Sequence, residues 1–323
     1  MSFNSIIGQE NAVRALKGII KQDQVSGSYL FLGPDGVGKR AAAIEFAKAV
    51  NCQKGEPDAC DGCASCGKII SGNHPDIFMI EREDGASHIK IEKIRDIIYQ
   101  ASMKPYEGRK KVFIIRDAEV MTEEASNALL KILEEPPQNH VLILTTAYLS
   151  GMLPTVLSRC RVLKFNLVGQ SRIQEFLVRD RGFTEEEAVL YSHAALGSPG
   201  RAIAFKEKNL LAERDRVLND FFFRKRALFK EEVLGDKNYP DAEESLGMLL
   251  CWYRDLLVSK FTDKRELFFN IDKSNDIASY SQRFGYLKLE KDINSIMTTL
   301  GYIRGNVNQK TAFFNMALEL ERQ

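Results

Sequence analysis

The sequence has 323 residues, 44% of them hydrophobic and 28% charged, which is enough apolar material for two or three packed cores. Its 45 basic and 44 acidic residues give a net charge of +1, so no bulk positive field indicates nucleic-acid binding. No run reaches the roughly 18 apolar residues of a membrane span, and the first residues lack the basic-then-apolar order of a secretory signal. We therefore expect a cytoplasmic protein with no membrane partner.

A glycine-rich loop lies between a predicted strand and a predicted helix. The apolar run SYLFL at 28–32 precedes GPDGVGKR at 33–40, and the helix-forming AAAIEFAKAV follows. In this order a loop presents backbone N–H groups and a lysine to a phosphate, as in a P-loop. The residues predicted to bind ATP or ADP are Gly33, Gly36, Gly38 and Lys39. A loop inherited without nucleotide binding is the alternative.

Four of the six cysteines lie in one short segment after the P-loop helix. Their spacing is Cys52-x7-Cys60-x2-Cys63-x2-Cys66. In a reducing compartment this spacing favours a metal over disulfides, and four thiolates suit a closed, structural zinc site. Unligated cysteines and a redox pair are the alternatives. We interpret His74 as part of a loop turn rather than as a ligand, and Cys160 and Cys251 as buried thiols.

Short apolar runs then alternate with helical patterns. KVFII at 111–115 and VLILTT at 141–146 have the β-rich composition of buried parallel strands. Helical steps of three and four connect Ile91, Ile94, Ile98 and Ala101. Thr122 is predicted to cap a second helix, which stops at Pro136. Strands alternating with helices predict an α/β, doubly wound domain.

Both positions that hold magnesium in P-loop ATPases are changed. The serine or threonine that follows the P-loop lysine is Arg40 in this chain. The strand at 111–115 is followed by Arg116, where such ATPases place an aspartate. Two cations repel Mg²⁺, so we expect little ATP hydrolysis on this chain. Asp117 is a weaker candidate, with a solvated or helix-capping role as the alternative.

The strand pattern fades after residue 165 and helical periodicity follows. Two apolar stripes are predicted to form core rather than a partner interface: Leu246, Leu249, Leu250, Tyr253 and Leu257, and Ile293, Ile296, Leu300, Ile303 and Val307.

Several segments together resemble the clamp-loader subunits of bacterial DNA polymerase III, which are AAA+ ATPases. They are IIGQE at 6–10, the P-loop, SNALLKILEEPP at 126–137, LTT at 144–146, LPTVLSRCR at 153–161, GSPGR at 197–201 and NVNQKTAF at 306–313. The resemblance covers essentially the whole chain, and NALLK with LEEPP and SRC is highly specific. Loss of both magnesium positions and the GSPGR segment resemble the delta-prime group. The gamma and tau motors are expected to carry GKS or GKT and an Asp-Glu pair.

The resemblance implies roles for four polar residues. Arg159 of SRC corresponds to an arginine finger that acts in trans on the ATP of a neighbouring subunit, with a surface or salt-bridged arginine as the alternative. Arg201 matches a position that senses nucleotide in the motors, or is a structural contact. Thr145 or Thr146 stands where the motors place a polar sensor, or is an ordinary strand residue.

The resemblance also implies a hetero-oligomer with gamma/tau and delta subunits, which acts on the sliding clamp and holds primed DNA. Phosphate contacts are expected from the helix that begins near Thr122, with Ser126 and Asn127 in its early turns. The basic run at 109–111 is a second candidate, with a solvated strand entrance as the alternative.

Together these features predict three domains. They are an AAA+ P-loop domain over 1–166 with a zinc module at about 50–70, a helical lid over 167–212, and an all-α oligomerisation domain over 213–323. The predicted function is that of a clamp-loader stator, within the polymerase holoenzyme but without ATPase or polymerase activity of its own. An ATP-hydrolysing gamma/tau-like motor and a free-standing zinc DNA-binding protein are the alternatives.

Overall fold

A computed structural model describes residues 2–54, 57–83, 86, 88–223, 242–305 and 307–321. Several parts of the predicted domains lie outside these ranges: residue 1, residues 55–56 of the zinc module, residues 84–85 and 87 of the P-loop domain, and residues 224–241, 306 and 322–323 of the C-terminal domain. The chain forms two compact units, Met1–Phe176 with Gly197–Gly200 and Leu177–Leu196 with Arg201–Gln323. Within the described ranges, no helix combines the length and the apolar character needed to cross a membrane.

The first unit contains a five-stranded parallel sheet, as the alternation of strands and helices predicts. The strands are β1 Gly27–Leu32, β2 Ile77–Ile80, β3 Lys111–Ile115, β4 His140–Thr146 and β5 Arg161–Lys164. Their order is β2-β3-β4-β1-β5, and all neighbours pair in parallel. The P-loop follows β1 and therefore opens at the carboxyl edge of the sheet, where α/β proteins bind ligands.

Helices connect the strands and cover both faces of the sheet. They are α1 Glu10–Lys21, α2 Lys39–Asn51, α3 Ala64–Ile70, α4 Ile91–Ala101, α5 Glu123–Glu134 and α6 Pro154–Leu157, followed by α7 Gln170–Arg181. Successive side chains of β1 enter opposite cores: Phe31 packs with Leu16 and Phe46, whereas Leu30 packs with Ile94 and Leu129. This is the period of two that a strand imposes. Because both faces are covered, β3 and β4 are buried throughout.

The remaining helices belong mainly to the second unit. They are α8 Glu185–Ala194, α9 Pro199–Glu207, α10 Leu210–Val217, α11 Ala242–Val258, α12 Ser274–Ser281, α13 Tyr286–Arg304 and α14 Gln309–Glu321, with a π-helical segment at Leu218–Phe223. The core of this unit surrounds Trp252, which is fully buried and contacts Phe222 and Phe223 edge-on.

The two predicted apolar stripes lie on α11 and α13. Leu246, Leu249, Tyr253 and Ile296 are buried, as predicted for core positions. The extension of the second stripe to Val307 is wrong, because α13 ends at Arg304 and Val307 is 44% exposed. The boundary predicted at residues 166–167 falls inside the first unit and that at 212–213 inside the second. The division into three domains stays a prediction.

Candidate functional site

The predicted P-loop connects β1 to α2 through two glycines in the left-handed region. Gly36 has φ 72°, and Gly38, the N-cap of α2, has φ 107°. Side chains rarely adopt these angles, whereas glycine does so at little cost. Gly33 meets a different constraint, because a Cβ there would lie 2.2 Å from the carbonyl oxygen of Phe165. The loop thus takes the tight path that its glycines predict.

The Lys39 side chain is buried against its own loop and hydrogen-bonds within it. The side chain is 6% exposed, and its ammonium donates to the carbonyl oxygen of Gly33, to that of Pro34 at 3.0 Å and to Asp35 Oδ1 at 3.2 Å. The structure therefore brings the predicted glycines and the lysine together. Their contact with a nucleotide stays a prediction.

The GSPG part of the GSPGR segment binds the carbonyl side of the P-loop. The backbone N–H of Gly200 donates to the carbonyl oxygen of Gly36 at 2.9 Å, and Ser198 Oγ donates to that of Asp35 at 2.8 Å. A Cβ on Gly200 would lie 2.9 Å from Gly36 Cα. Arg201, the predicted nucleotide sensor, belongs to the second unit, where its guanidinium lies 5.6 Å from the Phe205 ring centroid.

The two arginines at the magnesium positions have different surroundings. Arg40 is exposed on the first turn of α2. Arg116 hydrogen-bonds to the carboxylate of Glu81, and its own N–H continues the sheet by donating to Ile80 at 2.8 Å. Because Glu81 compensates the charge of Arg116, the electrostatic repulsion predicted for magnesium rests chiefly on Arg40, together with the loss of both oxygen ligands.

The candidate sensor residues face different partners. Thr145 Oγ1 accepts from the backbone N–H of Asp117 at 3.2 Å, and Thr146 Oγ1 donates to the carbonyl oxygen of Tyr148 at 2.7 Å. Asp117 itself has φ 52° and makes no side-chain capping bond to the short helix Ala118–Val120 that follows. Thr145 thus links the ends of β3 and β4.

Arg159 lies just after α6 and pairs with the last residue of α5. Its Nε and Nη2 donate to Oε1 of Glu134 at 2.9 and 2.5 Å. Its Nη1 donates to the carbonyl oxygen of Thr155 at 2.9 Å and to Ser158 Oγ at 3.3 Å. The side chain is 32% exposed, so the arginine is both salt-bridged and accessible.

The four clustered cysteines meet beside α2. The sulfur atoms of Cys52, Cys60, Cys63 and Cys66 lie within 4.8 Å of one another. Bonds of about 2.3 Å from a central zinc to four sulfurs place those sulfurs about 3.8 Å apart, so the cluster can hold a tetrahedral metal. His74 lies outside this group, since its ring accepts from Asp76 N at 3.1 Å and contacts Ser65 Oγ at 3.3 Å.

The cysteine thiols have unequal acidities. Burial opposes ionisation of Cys63, but hydrogen bonds from the backbone of Cys66 and Gln53 lower its pKa to about 6. Burial, reinforced by Cys63, raises the pKa of Cys66 to about 12. Cys63 therefore loses its proton more readily than an ordinary thiol, and the thiolate is the form that binds a metal. Outside the cluster, Cys160 and Cys251 are half-buried rather than fully buried as predicted. Burial nevertheless raises the pKa of Cys160 to about 12 and that of Cys251 to about 11, which disfavours their ionisation.

The two candidate phosphate contacts are less favourable than predicted. Thr122 Oγ1 caps α5 by accepting from Ala125 N at 3.2 Å, and two glutamates occupy the first turn. These acids oppose an anion at that helix end. Ser126 is buried.

In the basic run at 109–111, Lys111 is 4% exposed and donates to the carbonyl oxygen of Gln100, so it belongs to the interior of the sheet.

Comparison with known proteins relates nearly the whole chain to one family. Models described as DNA polymerase III, delta subunit, and delta subunit, C terminal, match residues 8–168 and 208–322. The DNA polymerase III subunit delta' of Bacillus subtilis is 30% identical over 97% of this chain and 96% of its own length. That of Pseudomonas aeruginosa is 38% identical over 71% of this chain and 69% of its own length.

The chain belongs to the delta' subunits of DNA polymerase III. The tau subunit of B. subtilis is also similar, at 32% identity, but the chain spans only 47% of its length. The match to delta' is thus more complete, as the changed magnesium positions predict. The parallel sheet, the P-loop and the helical C-terminal part agree with the AAA+ architecture expected for this family.

In this delta' chain the structure adds residues that the sequence analysis did not single out as functional. Glu134 lies within the LEEPP segment but acquires its partner only when α5 and α6 pack. Ser198 and Gly200 lie within GSPGR, where the resemblance implies a role for Arg201 alone. A serine and a glycine beside a turn proline are the available sequence indication, and it does not identify the P-loop as their partner.

Proposed function

We propose that this delta' chain is a largely non-hydrolysing subunit of a clamp loader, which helps to place the sliding clamp on primed DNA. Its relatives are named as delta' and tau subunits of DNA polymerase III, which supports assembly with gamma/tau and delta partners. The sliding clamp and primed DNA are further partners that this proposal implies. Within the complex, the chain provides a rigid AAA+ frame rather than a site of ATP turnover.

One observation supports this proposal most directly. Arginines occupy both positions that hold magnesium in an ATPase, while a further arginine, Arg159, is accessible next to α6. A guanidinium stabilises charge that develops on a transferred phosphoryl group, and such a finger is worth about 10³–10⁵ in rate. The chain therefore lacks the parts for its own hydrolysis and carries the part that a neighbouring site needs.

The test is ATP hydrolysis by the complex reconstituted with Arg159→Ala. We expect the site served by this chain to lose its DNA-stimulated turnover, so that the rate of the whole complex falls by the share of that site. Arg161→Ala, which removes an exposed arginine of β5, is the matched control and should keep the normal rate. A full rate with Arg159→Ala would reject the finger role.

The alternative is a motor that hydrolyses ATP despite Arg40 and Arg116. It requires that the P-loop bind ATP or ADP through Gly33, Gly36, Gly38 and Lys39. Magnesium-dependent turnover by the purified chain, abolished by Lys39→Ala, would establish this alternative. We expect no turnover, and we expect no polymerase activity from the isolated chain.

We infer that the metal of the cysteine cluster is structural zinc. Four sulfur donors leave no position for a substrate or an activated water, which is the arrangement of a structural site. Asp58 and Asp61, which lie between the cysteines, connect the module to the frame: Asp58 accepts from Phe3 N at 3.2 Å, and Asp61 pairs with Lys48. Metal analysis of the purified chain should find one zinc, which Cys63→Ser should reduce.

A further inference from the structure

We propose that Glu134 is a positioning residue for Arg159, holding its guanidinium in the orientation that the chain presents to the nucleotide of a neighbour. This inference rests on the proposed role of Arg159 as a finger. It assigns the role to one carboxylate at the end of α5, which lies within the LEEPP segment but for which the resemblance implied no role.

The geometry fixes one edge of the guanidinium. Oε1 of Glu134 accepts from both Nε and Nη2, which restrains rotation about the last bonds of the arginine side chain. These are charge-assisted hydrogen bonds, roughly twice as strong as neutral ones. At the other edge, Nη1 has neutral acceptors, the Thr155 carbonyl and Ser158 Oγ.

This asymmetry favours positioning over inhibition. An incoming phosphate competes first with the neutral acceptors of Nη1, because they bind a guanidinium more weakly than a carboxylate does. The Nε–Nη2 edge remains on Glu134 while the other edge turns to the phosphate. If Glu134 instead inhibited Arg159, the ion pair itself would have to break before the guanidinium could reach the phosphate.

The backbones that carry the pair are held by the core, whereas the arginine side chain is ordered only by its hydrogen bonds. Leu133, next to Glu134, is 4% exposed, and Val156 of α6 is fully buried in the same core. The side chains of Arg159 and Glu134 are 32% and 51% exposed, so the pair adds little to folding stability. Its contribution is to restrict a long side chain that would otherwise sample many rotamers.

The experiment uses the reconstituted complex and follows the part of the DNA-stimulated ATPase that depends on Arg159. Glu134→Gln keeps the size of the side chain and removes its charge. We expect it to lower kcat for that part about two- to tenfold, the range for ordering one long side chain, without a matching rise in KM. Glu135→Gln, at the next residue, should keep the normal rate. In the Arg159→Ala background, Glu134→Gln should have no further effect.

Each outcome decides a separate point. An unchanged rate for Glu134→Gln, with Arg159→Ala impaired, would overturn the positioning role and leave the finger intact. A faster rate would show that Glu134 restrains the finger, and it would also overturn the proposal. If Arg159→Ala has the full rate, the finger itself is absent. A melting curve of each variant confirms that it is folded.

Discussion

Replacing Lys48 with methionine should destabilise the first unit, because it leaves a carboxylate without its cation in the interior. The Lys48 side chain is fully buried on α2, and its ammonium bonds to Glu45 Oε2 at 2.7 Å and to Asp61. The side chain of Glu45 is 6% exposed and that of Asp61 is 28% exposed. Because Asp61 lies between Cys60 and Cys63, this ionic cluster also connects the cysteine module to the P-loop helix.

The magnitude follows from what remains after the substitution. Removing one partner of a buried ion pair costs about 3–5 kcal/mol, since the other charge stays desolvated. Asp61 keeps contact with water and methionine fills most of the lysine volume, so we expect about 3 kcal/mol, the lower end of that range. Burial raises the pKa of Glu45 above its ordinary 4.5 even beside Lys48, and without Lys48 it should rise further. Glu45 can then take up a proton instead of remaining charged.

The pH dependence has a definite sign. A carboxyl group whose folded pKa is raised contributes stability that is full below its unfolded pKa and is lost as the pH rises through the folded value. The deficit of Lys48→Met should therefore be smallest near pH 4.5 and grow toward neutral pH. Adding Glu45→Gln to Lys48→Met should recover part of the lost stability at pH 7, because the unpaired buried carboxylate is then removed.

Urea unfolding of the metal-loaded chain at several pH values measures this deficit. Lys68→Met is the control, since its pair with Glu107 at 2.7 Å is 47% and 32% exposed and should be worth at most about 1 kcal/mol. Equal losses from Lys48→Met and Lys68→Met would refute the reasoning. So would a Lys48→Met deficit that shrinks as the pH rises.

Two further predictions concern single positions in the first unit. Gly33→Ala should lower the free energy of unfolding by about 3 kcal/mol, measured in urea, because its Cβ collides with the Phe165 carbonyl. The control Gly18→Ala in α1 places its Cβ where no atom lies within 4 Å and should stabilise the chain by about 0.5–1 kcal/mol. Equal effects of the two substitutions would contradict this reasoning. Asp76 is buried, which opposes its ionisation, yet three backbone N–H groups lower its pKa below 3.8: those of Tyr106, Glu107 and Gly108. Its contribution is present above pH 3.8 and is lost as the pH falls through the folded pKa. Asp76→Asn should therefore cost about 2 kcal/mol at pH 7 and progressively less as the pH falls below 3.8, and a deficit that stays constant below pH 3.8 would exclude this explanation.

Three strands could be predicted because their apolar runs reflect burial on both faces. β2 and β5 were not predicted, because both are strands of only four residues at the edges of the sheet and have no long apolar run. Three of the four residues of β5 are exposed, so Arg161–Lys164 resembles a surface segment when it is read alone. Such a strand forms because it pairs with β1 through backbone hydrogen bonds, and this pairing depends on the tertiary fold.

The candidate site divides in the same way. The cysteine cluster could be predicted because its ligands are close in sequence, and the P-loop because its glycines meet local backbone demands. Glu134 and Arg159 are 25 residues apart, and their contact requires α5 and α6 to pack. The pairing of Arg116 with Glu81 across neighbouring strands depends in the same way on the order of the sheet.

The P-loop of this chain has structural reasons to persist without a nucleotide. Gly33 is required by the approach of Phe165, and Gly200 by that of Gly36, whatever the loop binds. Lys39 satisfies its buried ammonium with the carbonyl oxygens of its own loop, and a buried charge without such partners would be costly. Packing therefore requires a glycine at positions 33 and 200, and hydrogen bonding accommodates Lys39, whether or not the loop binds a nucleotide. Arg40 is the informative departure, because an exposed position next to the lysine has no packing reason to lose a magnesium-binding hydroxyl.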